Sequence, residues 1–243
     1  MSSTPLTTLS YELSASTQPA LGLITLQTDH TIEDDFRRLL FPFKLSLLHT
    51  RIPMQDAVNA DTLQQMEHCF AQSLNVFPKH HSFDAIGYAC TSASLIIGDV
   101  KLEELIRPHV MVKHITNPLL ATLRALNHLN VKKIGFLAPY HGTIALQMMD
   151  YFQQHDIAIE RAATFSATQD SVVSLINESS IEEAVKYLTQ CRNIEAIFIA
   201  CTALKCTPHL PRLTQQFGLP IISSNLTLAH DLLNLTHTQN NLL

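Results

Sequence analysis

The motif Ala-Cys-Thr occurs twice in this sequence, each time directly after a short apolar run. Cys90 stands in Phe83-Asp-Ala-Ile-Gly-Tyr-Ala-Cys-Thr-Ser-Ala93, and Cys201 stands in Ile194-Glu-Ala-Ile-Phe-Ile-Ala-Cys-Thr-Ala-Leu204, 111 residues later. A cysteine between a strand and a helix meets the exposed N–H groups and the positive end of that helix, which favour the thiolate. Two thiols that flank one carbon atom can remove a proton from one face and return it to the other. Equally, one thiol can attack as a nucleophile while the other handles the proton.

A second pair of matching segments indicates an internal duplication. Gly22-Leu-Ile-Thr-Leu corresponds to Gly135-Phe-Leu-Ala-Pro with an offset of 113 residues, close to the 111 residues between the two cysteines. Two offsets that agree this closely are typical of a repeat of about 110 residues. We therefore expect the two cysteines to occupy equivalent places in two similar halves and to face one cleft.

Strands and helices are predicted to alternate along nearly the whole chain, because short β-type runs alternate with segments of helical periodicity. The predicted strands are 22–27, 44–50, 85–89, 110–115, 133–138, 160–165, 196–200 and 220–223, and the predicted helices are 33–40, 61–74, 102–106, 118–129, 141–155, 181–191, 210–217 and 226–235. This alternation implies parallel α/β sheets with helices on both faces.

The predicted architecture is a pair of pseudo-twofold-related, doubly wound α/β domains, each with a roughly four-stranded parallel sheet flanked by helices. We expect the first half to comprise residues 21–117 plus 226–243 and the second to comprise 118–225, after a polar N-terminal arm of residues 1–20. Both cysteines then lie at the carboxyl edge of a sheet, where open α/β folds bind their ligands.

The remaining cysteines, Cys69, Cys191 and Cys206, lack this context and are interpreted as small structural residues. Cys201 and Cys206 have C-x4-C spacing, but no second cysteine or histidine pair completes a zinc site. The thirteen histidines also lack ligand spacing, so no metal is expected. Since no dinucleotide, P-loop or G-x-S-x-G motif occurs, we predict a cofactor-independent enzyme.

Composition and charge narrow the expected partners. The 16 Lys and Arg residues against 21 Asp and Glu residues give a net charge of −5 without a basic block, which argues against a nucleic-acid surface. The polar start does not resemble a secretory signal, and no apolar run approaches the ~18 residues of a membrane span. Five scattered cysteines favour reduced thiols and a cytoplasmic setting. A small-molecule carboxylate is the expected partner, and homo-oligomerisation stays open.

Five segments carry a resemblance to a known family. They are Gly22-Leu-Ile-Thr-Leu-Gln-Thr-Asp-His-Thr-Ile-Glu33, Tyr88-Ala-Cys-Thr-Ser-Ala-Ser94, Ile134-Gly-Phe-Leu-Ala-Pro-Tyr140, Ala200-Cys-Thr-Ala-Leu204 and Leu219-Pro-Ile-Ile-Ser-Ser-Asn225. In this order and at these spacings they resemble the aspartate/glutamate/hydantoin racemase superfamily. The similarity is greatest to its maleate cis–trans isomerase branch and to the related ectoine-utilisation proteins, and it extends from about Leu21 to Leu235.

The resemblance implies two α/β domains with an active site between them, no cofactor, and Cys90 and Cys201 as the reacting pair. It places the substrate carboxylate on N–H groups around Thr91, Ser92, Thr202 and Ala203, with Tyr140, Ser224 and Asn225 as further substrate-binding residues. In the maleate isomerases of this superfamily the first-half cysteine adds to the double bond, the C–C bond rotates, and elimination follows. In the amino-acid racemases the pair exchanges the α-proton.

Asp29 is the residue on which the predicted substrate class depends. It stands where maleate isomerases carry asparagine, ahead of Thr31 and Glu33. A fixed negative charge there repels a second substrate carboxylate and favours a substrate ammonium, as the equivalent aspartate does in amino-acid racemases. The alternative role for Asp29 is that of a turn or capping residue ahead of the helix near Glu33.

We therefore predict a two-cysteine racemase or isomerase that acts on an amino acid or an N-acyl diamino acid, as in ectoine breakdown. Maleate-type cis–trans isomerisation of a dicarboxylate is the alternative reaction. A ligand-binding homologue without activity is a third interpretation, because Thr202-Ala203 replaces the Thr-His of the racemases. The isomerases' second-half asparagine is not evident either, and Gln169-Asp170 occupies about that region. Arylmalonate decarboxylases keep only the second cysteine, so Cys90 argues against that branch.

Overall fold

Two parallel four-stranded sheets form the frame of the molecule, one in each half of the chain. The computed structural model describes residues 6–14, 18–53, 68–140, 142–167 and 169–243. Every strand pairing in the two sheets is parallel, so strands that follow one another along the chain within each sheet are joined by connections that carry helices. The predicted fold class, α/β with two four-stranded parallel sheets flanked by helices, is confirmed.

Among the described residues up to position 117, the structure has four strands and four helices. The strands are β1 (Ala20–Leu26), β2 (Ser46–Ile52), β3 (Ser82–Ala89) and β4 (Met111–Thr116), and the helices are α1 (Ile32–Leu40), α2 (residues 68–74), α3 (Thr91–Ile97) and α4 (Asp99–Ile106). The strands lie side by side in the order β2-β1-β3-β4. β1 is buried along its whole length, as expected of a central parallel strand with a continuous apolar sequence.

The rest of the chain repeats this arrangement. Its strands are β5 (Lys133–Tyr140), β6 (Ala158–Ala167), β7 (Ala196–Ile199) and β8 (Ile221–Ser223), in the order β6-β5-β7-β8. Its helices are α5 (Pro118–His128), α6 (Gly142–Gln154), α7 (Asp170–Val173), α8 (Glu178–Leu188), α9 (Leu210–Phe217) and α10 (Ser224–Leu235), with a 3₁₀ turn at Thr207–His209. Within the described residues, no helix combines the length and apolar character needed to cross a bilayer.

The sheet register relates the two halves residue by residue. Gly22 lies opposite Ile86 across β1 and β3, and Gly135 lies opposite Ile197 across β5 and β7. A Cβ on Gly22 would lie 2.7 Å from Ile86 Cγ1, and a Cβ on Gly135 would lie 3.2 Å from Ile197 Cγ1. The matching offsets in the sequence therefore correspond to the same close approach between the two central strands of each sheet.

Helix α10 connects the second sheet to the core of the first half. It begins directly after β8 and then packs against β3, α1 and α5. Its residues Leu228 and Leu232 pack against Gly87 of β3. A Cβ added to Gly87 would lie 3.1 Å from Leu232 Cδ1. The first turn of α10 consequently lies at the carboxyl edge of the second sheet while the rest of the helix is buried in the first half.

The structure differs from the predicted elements mainly at their ends and at two short helices. Residues 61–67 of the predicted helix 61–74 and His141 of the predicted helix 141–155 lie outside the described residues. Helices α3 and α7 were not predicted as elements, because α3 has the sequence Thr-Ser-Ala-Ser-Leu-Ile-Ile and α7 has four residues. Hydroxyl and β-branched side chains give α3 little intrinsic helix propensity, so its capping and packing determine it. Of the predicted arm, residues 6–14 have no regular secondary structure, and Ala20 begins β1.

Replacing Gly22 with alanine should destabilise the protein. The new Cβ would meet Ile86 Cγ1, a mid-side-chain atom that cannot move without shifting its neighbours. We expect the free energy of unfolding, measured by urea denaturation, to fall by about 1–3 kcal/mol, as is usual when a packed core is overfilled. Gly142→Ala is the control, because nothing lies within 4 Å of its Cβ position. An equal unfolding midpoint for the two variants would contradict the close approach.

Candidate active site

Cys90 lies immediately after β3 and caps the first turn of α3. Its backbone is extended, with φ −151°, and its Sγ accepts a hydrogen bond from the Ala93 N–H at 3.4 Å. The Ser94 hydroxyl donates to the Cys90 carbonyl at 2.6 Å, and the Ser92 hydroxyl lies 3.6 Å from Cys90 Sγ. The Cys90 sulfur therefore lies against the first turn of α3, where the Ala93 N–H points at it.

Cys201 begins a turn of residues 201–203, here called the Cys201 turn, two positions beyond the end of β7. Its backbone has φ +93°, a conformation that side-chain-bearing residues rarely adopt. Such a conformation costs about 1–3 kcal/mol and persists only where the surrounding structure holds it. The Cys201 N–H donates to Ser224 Oγ at 3.1 Å, which is the first of the contacts that hold the turn.

The other two residues of the Cys201 turn are held through their carbonyl groups. Asn225 Nδ2 donates to the Thr202 carbonyl at 2.9 Å, and Thr31 Oγ1 donates to the Ala203 carbonyl at 2.8 Å. Thr31 precedes α1 in the first half, and Asn225 lies in the first turn of α10. The strained turn of the second sheet is therefore fixed by groups outside that sheet.

The two cysteine loops meet at the Ser224 hydroxyl. Ser224 Oγ accepts a hydrogen bond from Thr91 Oγ1 at 2.9 Å in addition to the one from the Cys201 N–H. A longer contact of 3.4 Å joins Thr202 Oγ1 to the Ala89 carbonyl, just before Cys90. The residues that flank Cys90 and Cys201 thus come together in one place, between the carboxyl edges of the two sheets.

Tyr140, the last residue of β5, also reaches both loops. Its hydroxyl group lies near the Cys201 sulfur and the Thr91 hydroxyl, and it interacts electrostatically with both Cys201 and Cys90. Burial raises the pKa of Tyr140 well above its usual range, and negative charge on Cys201 and Cys90 raises it further. Tyr140 consequently keeps its proton at ordinary pH and lies near both thiols.

Asp29 adopts the capping role that the sequence left open. Its Oδ1 accepts hydrogen bonds from the N–H groups of Thr31 at 2.8 Å and Ile32 at 3.0 Å, at the start of α1. Asp29 is 3% exposed, and its loop touches the Cys201 turn through the bond from Thr31 to Ala203. The cap therefore lies beside the candidate site, and a contact between Asp29 and a substrate ammonium stays a prediction.

The predicted substrate-binding residues Ser224 and Asn225 have structural partners as well. Ser224 Oγ accepts two hydrogen bonds, and Asn225 Nδ2 donates both to the Thr202 carbonyl and to Asp35 Oδ2, the latter at 2.7 Å. Asn225 Oδ1 is buried and has no hydrogen-bond partner among the described residues. Both side chains hold the site together, and their predicted contact with substrate is untested.

Comparison with known proteins places the chain in a family. A protein-family model described as arylmalonate decarboxylase matches residues 71–241, well over half of the sequence. The chain belongs to the arylmalonate decarboxylase family. Among curated proteins, the maleate isomerase of Alcaligenes faecalis is 20% identical over 226 residues, covering 88% of this chain and 89% of that protein.

Solved structures of two relatives share the fold. The maleate cis–trans isomerase of Nocardia farcinica, in a mutant with a covalently bound succinylcysteine intermediate, matches with a TM-score of 0.77 and 18% identity over 90% of this chain and 93% of that chain. Unliganded arylmalonate decarboxylase matches with a TM-score of 0.74 and 14% identity over 92% and 95% of the two chains. The resemblance inferred from the five sequence segments is confirmed at the level of the superfamily.

This member of the arylmalonate decarboxylase family uses two residues that sequence analysis did not single out as site residues. Thr31 holds the Ala203 carbonyl, and Asp35 contacts Asn225. Asp35 had a detectable signal, because it lies on the face of α1 that buries Ile32 and Phe36. An acid on the apolar face of an amphipathic helix is rarely buried without a polar partner.

The other cysteines of this family member have no comparable surroundings. All five cysteines are free, and burial raises the pKa of Cys206 far above its usual range, with Asp35 adding to the effect. Cys206 therefore keeps its proton, in line with a structural role. In the part of the chain that the structure describes, no group of three or more His, Cys, Asp or Glu side chains is arranged to hold a metal ion.

Removing the Tyr140 hydroxyl should slow turnover without shifting its pH dependence. Because the pKa of Tyr140 is raised, the phenol keeps its proton across about pH 6–9, and its loss acts equally over that range. We expect Tyr140→Phe to lower kcat roughly tenfold to hundredfold, the effect of losing a hydrogen bond to a charged group. Tyr187→Phe, at a side chain on the surface, is the control. A loss confined to one end of the pH profile would show that Tyr140 titrates in this range instead.

Proposed function

We propose that this chain is a cofactor-independent isomerase in which Cys90 and Cys201 act on one small carboxylate substrate. The observation that carries the proposal is the Ser224 hydroxyl, which accepts hydrogen bonds from the Cys201 N–H and from Thr91 and so joins the two cysteine loops. The reaction class is supported by the maleate isomerases among its relatives, one of which carries a succinylcysteine. With all five thiols free, the enzyme suits the cytoplasm.

The surroundings of the two thiols assign them different tasks. Cys90 caps a helix and accepts the Ala93 N–H, so it serves as the thiolate. Cys201 has the neutral Tyr140 hydroxyl beside its sulfur and serves as the partner that gives or takes the second proton.

The substrate carboxylate binds between the two cysteine loops in this proposal. The N–H groups of Thr91 and Ser92 belong to the first turn of α3, where no preceding helical carbonyl accepts them. Such groups bind a carboxylate readily. The N–H groups of Thr202 and Ala203, in the Cys201 turn, approach the same substrate from the other half.

Racemisation of an amino acid or an N-acyl diamino acid is the first candidate reaction. One thiolate removes the α-proton, and the opposite thiol returns a proton to the other face of the same carbon. Asp29 supports this choice, because a carboxylate buried beside the Cys201 turn favours a substrate that brings a positive charge. In a water-poor site, a second substrate carboxylate in that place would be repelled.

Cis–trans isomerisation of a dicarboxylate such as maleate is the second candidate reaction. Two observations favour it: Asp29 Oδ1 already accepts two helix N–H groups, which offset part of its charge, and the two thiols have unequal surroundings. Unequal thiols suit a mechanism with a single nucleophile. In that mechanism Cys90 adds to the double bond, the C–C bond rotates, and elimination regenerates the thiolate.

One NMR experiment in D2O separates these candidates. The purified protein is incubated with L- and D-amino acids, N-acyl diamino acids and maleate, and the proton spectra are followed. Loss of the α-proton signal identifies the racemase, whereas conversion of the maleate signal to that of fumarate identifies the cis–trans isomerase. If no compound reacts and none protects Cys90 and Cys201 from iodoacetamide, the proposal is wrong and the chain is an inactive homologue.

Replacing either reacting cysteine with serine should abolish turnover and leave the fold intact. Serine has nearly the same shape, but its hydroxyl group is far too weak an acid to ionise near neutral pH. We expect Cys90→Ser and Cys201→Ser each to lower kcat by roughly a thousandfold or more, since covalent and acid–base steps both fail. Cys69→Ser and Cys191→Ser, outside the site, should keep full activity. Full activity in Cys90→Ser or Cys201→Ser would rule out the cysteine pair.

Replacing Asp29 with asparagine should change the preference between substrate classes. Asparagine keeps an oxygen that can cap α1, so the loop is retained while the negative charge is lost. We expect Asp29→Asn to weaken amino-acid binding roughly tenfold and to bind maleate more tightly than the wild type does. Competition binding of an amino acid and maleate to both proteins measures the change. A wild-type protein that already prefers maleate would reject the amino-acid candidate.

A further inference from the structure

Asp35 is a buried acid to which the proposed reaction assigns no step. It is 2% exposed, whereas the side chain of its neighbour Asp34 is 52% exposed and pairs with Arg37. Asp35 lies on the apolar face of α1 with Ile32 and Phe36. A carboxyl group in such a place destabilises a fold unless hydrogen bonds compensate its burial, so its partners are informative.

A single side-chain amide connects Asp35 to the Cys201 turn. Asn225 Nδ2 donates to Asp35 Oδ2 at 2.7 Å and to the Thr202 carbonyl at 2.9 Å. Both of these neighbours are acceptors, so the amide must direct its two N–H groups at them and its oxygen elsewhere. The Thr207 hydroxyl lies near the same carboxyl group and contacts the Ser223 hydroxyl at 3.3 Å. Asp35 thus determines how the Asn225 amide is oriented.

The carbonyl that Asn225 holds belongs to the residue after Cys201. Cys201 has φ +93°, and a backbone in that region relaxes unless the peptide groups around it are fixed. Ser224 fixes the peptide group before Cys201, and Asn225 fixes the Thr202 carbonyl, in the second peptide group after Cys201. Without Asn225, only the bond from Thr31 to the Ala203 carbonyl would hold the far end of the turn, and the turn could relax at Thr202.

We propose that Asp35 is a positioning residue that, through Asn225 and the Thr202 carbonyl, keeps Cys201 in its positive-φ conformation. This inference rests on the proposed function of Cys201 as a reacting thiol. Asp35 itself touches neither sulfur nor substrate in this role. Asp35 supplies an acceptor oxygen to the Asn225 amide, and its variants are expected to differ according to whether they keep such an oxygen.

Three single variants separate an acceptor from a charged participant in the reaction. Asp35→Leu removes the acceptor and should lower kcat roughly tenfold to hundredfold with KM changed less than about twofold. Asp35→Asn keeps an acceptor oxygen for Asn225 and should stay within about threefold of the wild type. The matched control, Asp34→Asn, changes the neighbouring exposed aspartate and should have no effect. An Asp35→Asn variant as slow as Asp35→Leu would overturn the positioning role.

Alkylation by iodoacetamide tests the same idea without any substrate. Peptide-resolved mass spectrometry gives separate rates for Cys201 and Cys90, both of which are buried. Release of the Cys201 turn in Asp35→Leu should raise the Cys201 rate about tenfold and leave the Cys90 rate unchanged, because Cys90 is anchored in α3. Equal acceleration of both cysteines would indicate general loosening of the fold and overturn the proposal. Since no turnover is involved, this result is independent of whether the proposed function holds.

Exchanging the two side chains provides the sharpest test. In the double variant Asp35→Asn, Asn225→Asp an amide again faces a carboxylate, but residue 225 no longer has an N–H for the Thr202 carbonyl. We expect the unfolding midpoint of this double variant to lie closer to the wild-type value than that of Asp35→Leu does. Its kcat should stay as low as in Asp35→Leu, and its Cys201 should still be alkylated rapidly. Recovery of activity in the exchanged pair would show that only the contact between the two residues matters, and would overturn the proposal.

Discussion

The candidate site depends on holding Cys201 in a backbone conformation that it does not favour. A residue with a side chain at φ +93° is strained by about 1–3 kcal/mol and persists only where its surroundings hold it. Its anchors are Ser224, Asn225 and Thr31, which belong to α10 and to the start of α1. The reactive geometry therefore forms only when both halves and α10 are assembled, so folding and function are coupled at this point.

Helix α10 is the element that ties the Cys201 turn to the core of the first half. Its first turn supplies two of the anchors, and its later residues Leu228 and Leu232 are packed on Gly87 in the middle of the first sheet. A helix that is buried along almost all of its length can tilt only if the first-half core repacks. The Cys201 turn is thus held, through α10, against the β-sheet that leads into Cys90.

The sequence predicted what depends on local pattern and on repetition. Buried apolar runs located the strands, and the repeated Ala-Cys-Thr with its glycine partner located the two cysteines at equivalent sheet edges. It did not predict contacts such as the one from Thr31 to Ala203, which joins residues 172 positions apart and leaves no local signal. Asp29 shows a different limit, because the same carboxylate suits a helix cap and a substrate ammonium, and only the three-dimensional partners identify the cap.

The duplication repeats the strand order of the two sheets but not the conformation at the two cysteines, and this difference bears on mechanism. Cys90 has extended backbone and leads directly into a helix, whereas Cys201 has positive φ and is followed by a turn before the next helical residues. One thiol consequently lies at a helix N-terminus, whereas the other lies in a turn with positive φ, so the two sulfur atoms have different surroundings. In the proposed function, Cys90 is ionised while Cys201 keeps its proton. That is the state from which either candidate reaction must start, because one thiol has to accept or attack while the other still holds a proton.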